Sequence, residues 1–163
     1  MQAKSMKLPG PDHPITIEPN PARVTVSLAG RIIADSRKAL TLREASYPAV
    51  QYIPRKAVDM SLLQRTDHAT YCPYKGDCAY YSIPSGGKRS ANAVWTYEAP
   101  YAGVAEIKDH LAFYPDRVDE IKEQNSNGAF EERYTILEAN SLPVFGEGPA
   151  FVEYTLSSLD AVL

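Results

Sequence analysis

Short runs in which apolar and polar residues alternate, each cut off by Pro, Gly or Asn, constrain this chain more than any other feature. Ile15 and Ile17 alternate with Thr16 and Glu18, and after the Pro19-Asn20-Pro21 break Val24, Val26 and Leu28 alternate with Arg23, Thr25 and Ser27. Successive side chains of a strand point to opposite faces, so the pattern predicts strands with one buried face. Ala29-Gly30 has the spacing of a tight hairpin before Ile32-Ile33-Ala34, and Ala39-Leu40-Thr41-Leu42 supplies the next run, so the first third reads as a β-meander. Pro48 and Pro54 bracket Val50-Gln51-Tyr52-Ile53, a piece expected at a sheet edge because proline donates no ladder hydrogen bond.

Lys56 to Leu63 fits a helical turn or a short strand equally well. Thr70-Tyr71-Cys72 leads into the turn Pro73-Tyr74-Lys75-Gly76-Asp77, and Ala79 to Ile83 follows as a run of high strand propensity. Ser85-Gly86-Gly87-Lys88 reads as a hairpin tip and Ala93 to Tyr97 as a strand. Val104 to His110 is the one good helical pattern, with Val104, Ile107 and Leu111 on one face, and Leu111 to Tyr114 returns to extended structure. Asp119 to Gln124 reads as a short polar helix before the linker Asn125-Ser126-Asn127-Gly128. Phe130 to Ala139 and Ala150 to Leu156 each fit a local element, neither long enough for a domain. The expected organisation is a flexible lead-in over 1–13, a β domain over 14–119 and a C-terminal extension over 120–163.

A chain of 163 residues suits one domain with its own core. The formal net charge of -3 argues against a surface that tracks phosphate backbones, so nucleic acid is not the expected partner. No apolar run approaches the roughly 20 residues that span a bilayer, and Met1 to Gly10 lacks the apolar stretch of a signal peptide. A cytoplasmic protein with no membrane partner is expected. Tyrosine is the unusual component, with 11 copies against four Phe. A tyrosine buries an apolar ring and keeps a hydroxyl for water or ligand, which suits a semi-polar cavity; strand propensity alone also favours it.

Ala34-Asp35-Ser36, Tyr52-Ile53-Pro54-Arg55, Thr70-Tyr71-Cys72-Pro73-Tyr74-Lys75-Gly76, Tyr80-Tyr81-Ser82, Ala93-Val94-Trp95-Thr96-Tyr97 and Leu111-Ala112-Phe113-Tyr114 follow one another in this order. Over roughly residues 14 to 119 the chain resembles domain of unknown function family 427, which has sometimes carried a nucleotidyltransferase-like label. The resemblance implies a small, mainly β fold similar to the β-tent, two antiparallel sheets enclosing a pocket, here with one or two short helices. It implies no agreed reaction. Related β-tent families often hold zinc through two Cys-x-x-Cys pairs, which this sequence lacks, and Cys78 departs from the family pattern.

Cys72 and Cys78 offer neither a Cys-x-x-Cys hook nor four ligands, so no metal and no cofactor is expected. A nucleotidyltransferase needs paired carboxylates for divalent metals, and neither the spacing of Asp116 and Asp119 nor Gly86-Gly87-Lys88 provides the required frame. Lys75-Gly76 combines a cation with exposed turn amides, and Arg55 offers a planar fork for a carboxylate or phosphate; an ordinary solvated lysine and a salt bridge to Asp59 or Asp67 are the plain alternatives. Trp95 and Tyr97 leave one strand on the same side, with Trp95 expected in the core and Tyr97 at a pocket rim alongside Tyr52, Tyr74 and Tyr81. His68 lies near Cys72 and Lys75 in sequence, which makes these three the candidates for acid-base or nucleophilic chemistry, Cys72 also reading as a buried thiol; His110 reads as structural.

Three readings follow. In the favoured one the chain binds a small anionic or planar molecule in an aromatic-lined pocket made by Tyr52, Arg55, Tyr74, Lys75, Trp95 and Tyr97. In the second it is an enzyme using His68, Cys72 and Lys75 on a small substrate. In the third it is a structural or assembly protein whose extension mediates homo-oligomers.

Overall fold

The computed structural model describes residues 3–125. The elements expected at 130–139 and 150–156 lie outside them. The described residues form ten strands: β1 (Ile15–Asn20), β2 (Arg23–Leu28), β3 (Arg31–Ser36), β4 (Ala39–Glu44), β5 (Val50–Pro54), β6 (Gln64–Cys72), β7 (Gly76–Ser82), β8 (Val94–Thr96), β9 (His110–Phe113) and β10 (Glu120–Gln124). Seven make one sheet in the order β1-β4-β5-β9-β8-β7-β6, and three make a second in the order β10-β2-β3. The fold is mainly antiparallel β, with short 3-10 turns between strands. Among the described residues no helix is long and apolar enough to cross a membrane.

The period-two pattern sorts side chains of the seven-stranded sheet into two cores. On one face Ile53, Tyr81, Val94, Leu111 and Phe113 pack with Val24, Val26 and Leu28 of β2, Ile33 and Ala34 of β3, and Val118. On the other, Leu42, Tyr52, Cys78, Tyr80, Tyr97 and Ala112 pack with Val104 and Ile107 from the turn before β9. The register runs across both: Leu40 opposes Tyr52, Ile53 opposes Leu111, and Tyr80 and Ala112 flank Trp95. Each fully buried Ile or Leu contributes about 1.5–3 kcal/mol through burial.

Several local expectations change. The Val50–Pro54 segment is an interior strand between β4 and β9, because Pro48 precedes it and Pro54 is its last residue, so neither proline interrupts the middle of the ladder. Val104 to His110 is helical only in part and not as an α-helix: a short 3-10 helix over Ala102–Ile107 kinks at Val104, and the left-handed Asp109 reverses the chain into β9. Val104 and Ile107 therefore enter the second core while Leu111 enters the first. Ser85 to Lys88 lies within 3-10 turns spanning Pro84–Ser90, and the stretch expected as a helical turn or strand over 56–63 is met by two more, at Arg55–Ala57 and Met60–Leu62. The polar helix expected over 119–124 is instead β10 beside β2. Its one apolar side chain, Ile121, gives a helix no apolar stripe, but as a strand residue it packs against the first core.

Residues 3–13, expected as a flexible lead-in, lie along the domain. The Lys7 amide donates to the Pro73 carbonyl at 2.9 Å, the Tyr71 hydroxyl donates to the Ser5 carbonyl, and Gly10 bridges His13.

Candidate functional site

The second core is not filled. A cavity of about 200 Å³ opens between Leu42 and Glu44 of β4, Tyr47 and Pro48 of the following loop, Val50 and Tyr52 of β5, Lys75 of the turn before β7, Tyr80, Trp95, Tyr97 and Tyr114. Alternation explains the membership. Leu42 and Glu44, Val50 and Tyr52, and Trp95 and Tyr97 are two apart on their segments, and the residues between them face the other way.

The walls are aromatic and mutually braced. Trp95 Nε1 donates to the Tyr52 hydroxyl at 3.1 Å, with the rings edge-on at 6.3 Å, and the Tyr114 ring lies 4.5 Å from Trp95. The Tyr80 hydroxyl shares a 2.8 Å hydrogen bond with Thr70 Oγ1. Burial pushes the phenols of Tyr52, Tyr80 and Tyr97 above the ordinary tyrosine value, so all three are neutral near pH 7. Burial also raises the Cys78 thiol behind them, partly offset by hydrogen bonds from Tyr80 and Thr70.

One end of the cavity is charged. Lys75, only 6% exposed, donates from Nζ to Glu44 Oε1 at 2.5 Å and approaches Cys72 Sγ at 3.6 Å. The other carboxylate oxygen, Oε2, lies 2.7 Å from His13 Nε2, and the His13 ring stacks on Tyr74 at 4.0 Å. Burial pushes the Glu44 carboxyl up, but the hydrogen bonds from Lys75 and His13 outweigh it and hold the group below the ordinary carboxylate value. Gly76 sets the turn that delivers Lys75: its φ of 109° and the Ala99 carbonyl, which a Cβ would meet at 3.3 Å, both favour glycine. Because Glu44 already compensates Lys75, the cavity is no simple trap for anions. It offers a neutralised ion pair at the end of an aromatic box.

Of the residues singled out in the sequence, Tyr52, Lys75, Trp95 and Tyr97 converge on the cavity, and Tyr74 stands beside it against His13. The depths of two are exchanged: Tyr97 is 7% exposed and Trp95 only half-buried, so Trp95 is the more accessible wall. Tyr81 faces the first core, and its neighbour Tyr80 takes the place expected for it. Arg55 lies elsewhere, in a separate cleft, donating to the Tyr81 hydroxyl at 3.2 Å, with neither Asp59 nor Asp67 as its partner. Cys72 touches Lys75, whereas His68 is exposed on β6 with its ring against Tyr80. The histidine joined to Lys75 through Glu44 is His13.

His13 and Glu44 escaped the reading of the sequence. Glu44 was legible in part, as a carboxylate ending the row Leu40-Leu42-Glu44 on one side of β4. His13 carried no local signal, since its place depends on the pairing of Ile15 with Glu44. Among the described residues no three His, Cys, Asp or Glu side chains gather as metal ligands do. A family model described as a domain of unknown function (DUF427) matches residues 16–124, and the chain belongs to that family. No curated protein matches it.

Proposed function

We propose that this member of the family binds a small planar molecule in the aromatic cavity, with a hydrogen-bonding group of the ligand directed at Lys75 and Glu44. The observation that carries this reading is the convergence of Tyr52, Tyr80, Trp95, Tyr97 and Tyr114 around a space with a single polar end. Flat rings stack on such walls. An apolar cavity of about 150 Å³ already holds a benzene ring, so about 200 Å³ suits one ring with a short substituent. The ammonium has three hydrogens, of which Glu44 takes one and Cys72 Sγ a second, which leaves one for a ligand carbonyl or ring nitrogen. Both cysteines are free, which fits the cytoplasmic setting that we also propose.

Trp95 is the only tryptophan of the chain and lines the cavity, so its fluorescence reports occupancy. A library of single-ring and fused two-ring heterocycles should contain members that change this emission saturably. At about 100 Kd a native-state ligand also raises stability by roughly 2.7 kcal/mol. Lys75→Met should weaken those members. A library without any saturating member, or binding indifferent to Lys75→Met, defeats the reading. The enzyme reading keeps one supporting observation, the 3.6 Å contact of Cys72 Sγ with Lys75 Nζ, which sets a hydrogen-bond donor beside a nucleophilic atom at the edge of the cavity. Rapid, stoichiometric alkylation of Cys72 that slows in Lys75→Met would favour it over simple binding.

A further inference from the structure

A second concavity lies where β5 ends and β9 begins. The two strands are antiparallel neighbours: Pro54 opposes His110, and the Arg55 amide donates to the Asp109 carbonyl at 2.8 Å. This pairing brings Arg55 and Lys56 beside Lys108 and His110, residues far apart in sequence. They border a cleft of about 690 Å³ with Pro54, Val58 and Met60 as its apolar wall. Its size falls within the roughly 300–1,000 Å³ of small-molecule sites.

The charge differs from that of the aromatic cavity. Lys75 is neutralised by Glu44, but Arg55, Lys56 and Lys108 form no ion pair with a carboxylate among the described residues. Arg55 uses one N–H on the Tyr81 hydroxyl, and its field reaches Glu98, whose hydrogen-bonded partner is Arg65. Asp109 is the single acidic residue of the cleft, so three cations face one carboxylate. We propose that this cleft is a second binding site, for small organic anions in which a carboxylate or phosphate monoester is attached to a compact apolar body. The guanidinium fork of Arg55 and the two ammonium groups take the oxyanion, and Pro54, Val58 and Met60 cover the body.

The test uses the full chain, isotope-labelled, titrated with phenyl phosphate and with benzoate while amide resonances are followed. Saturable shifts are expected at Lys56, Val58, Lys108 and His110, away from Trp95 and Tyr52, which separates this site from the aromatic cavity and lets either fail alone. Inorganic phosphate, without the apolar body, and benzyl alcohol, without the charge, should each bind more weakly. Lys56→Ala combined with Lys108→Ala should weaken phenyl phosphate roughly tenfold. Both side chains are exposed, so the thermal midpoint should stay. Asp109→Asn, which suits the positive φ of 62°, should tighten binding roughly threefold, a gain that structural damage does not mimic. No saturable shift with either anion, shifts confined to Trp95 and Tyr52, or an affinity unchanged in both variants would overturn the proposal.

Discussion

The two faces of the seven-stranded sheet are made from the same strands, yet they end in opposite conditions. On one, Ile53, Val94 and Leu111 meet the aliphatic β2 and β3, and branched side chains interdigitate until these three are at most 1% exposed. On the other, Tyr52, Tyr80, Trp95, Tyr97 and Tyr114 stand as flat panels braced by hydroxyl and indole hydrogen bonds, and a cavity remains among them. Rigid rings whose polar ends need partners cannot collapse into a gap as branched aliphatic chains do. The face that no second sheet covers among the described residues carries the polar groups and the opening. Close packing and the hollow are thus divided between alternate residues of the same strands.

The largest expected effect comes from truncation on the filled face. Leu111→Ala or Ile53→Ala should cost about 2–5 kcal/mol in denaturant unfolding, because close-packed neighbours leave a new void. Val50→Ala, beside the existing cavity, should cost about 1 kcal/mol or less. Equal losses would erase the contrast.

Next in size is the polar end of the cavity. Lys75→Met strands Glu44 with His13 as its remaining partner, which should cost about 2–3 kcal/mol, and adding Glu44→Gln should recover most of the loss. Folding lowers the Glu44 pKa, so its contribution is present above the ordinary carboxylate value of 4.5 and is lost as pH falls through the depressed folded value. Stability measured from pH 6 downward should therefore fall less steeply in Glu44→Gln than in the wild type. Gly76→Ala should cost about 1–2 kcal/mol, since alanine disfavours its positive φ and would crowd the Ala99 carbonyl. The smallest effect belongs to neither face: Arg23→Ala removes an exposed pair with Asp35, 2.7 Å long, and should leave the denaturation midpoint unchanged within error.

Period-two alternation is a local property, and it made most strands legible, from Ile15 to Phe113. It also announced that Trp95 and Tyr97 share a side. What the sequence withheld was non-local. Nothing in Val50-Gln51-Tyr52-Ile53 says that β9 pairs with it, and that pairing turns an expected edge into the middle of a sheet. The same pairing carries Arg55 to a different mouth from Lys75. β10 was hidden because Glu120, Lys122 and Glu123 mask a strand whose only apolar anchor is Ile121. His13 entered the site from a stretch without periodicity, steered by the β1–β4 register rather than by its own neighbours.

The division between a filled and a hollow face is tested most directly by magnetisation transfer from a bound planar ring to the protein. With a heterocycle that saturates the Trp95 emission, cross-relaxation should reach the Trp95 and Tyr114 rings and the Lys75 side chain, and should be absent from the methyls of Ile53, Val94 and Leu111. Transfer to those methyls, or a saturating ligand that leaves Trp95 and Tyr114 without any transfer, would contradict it.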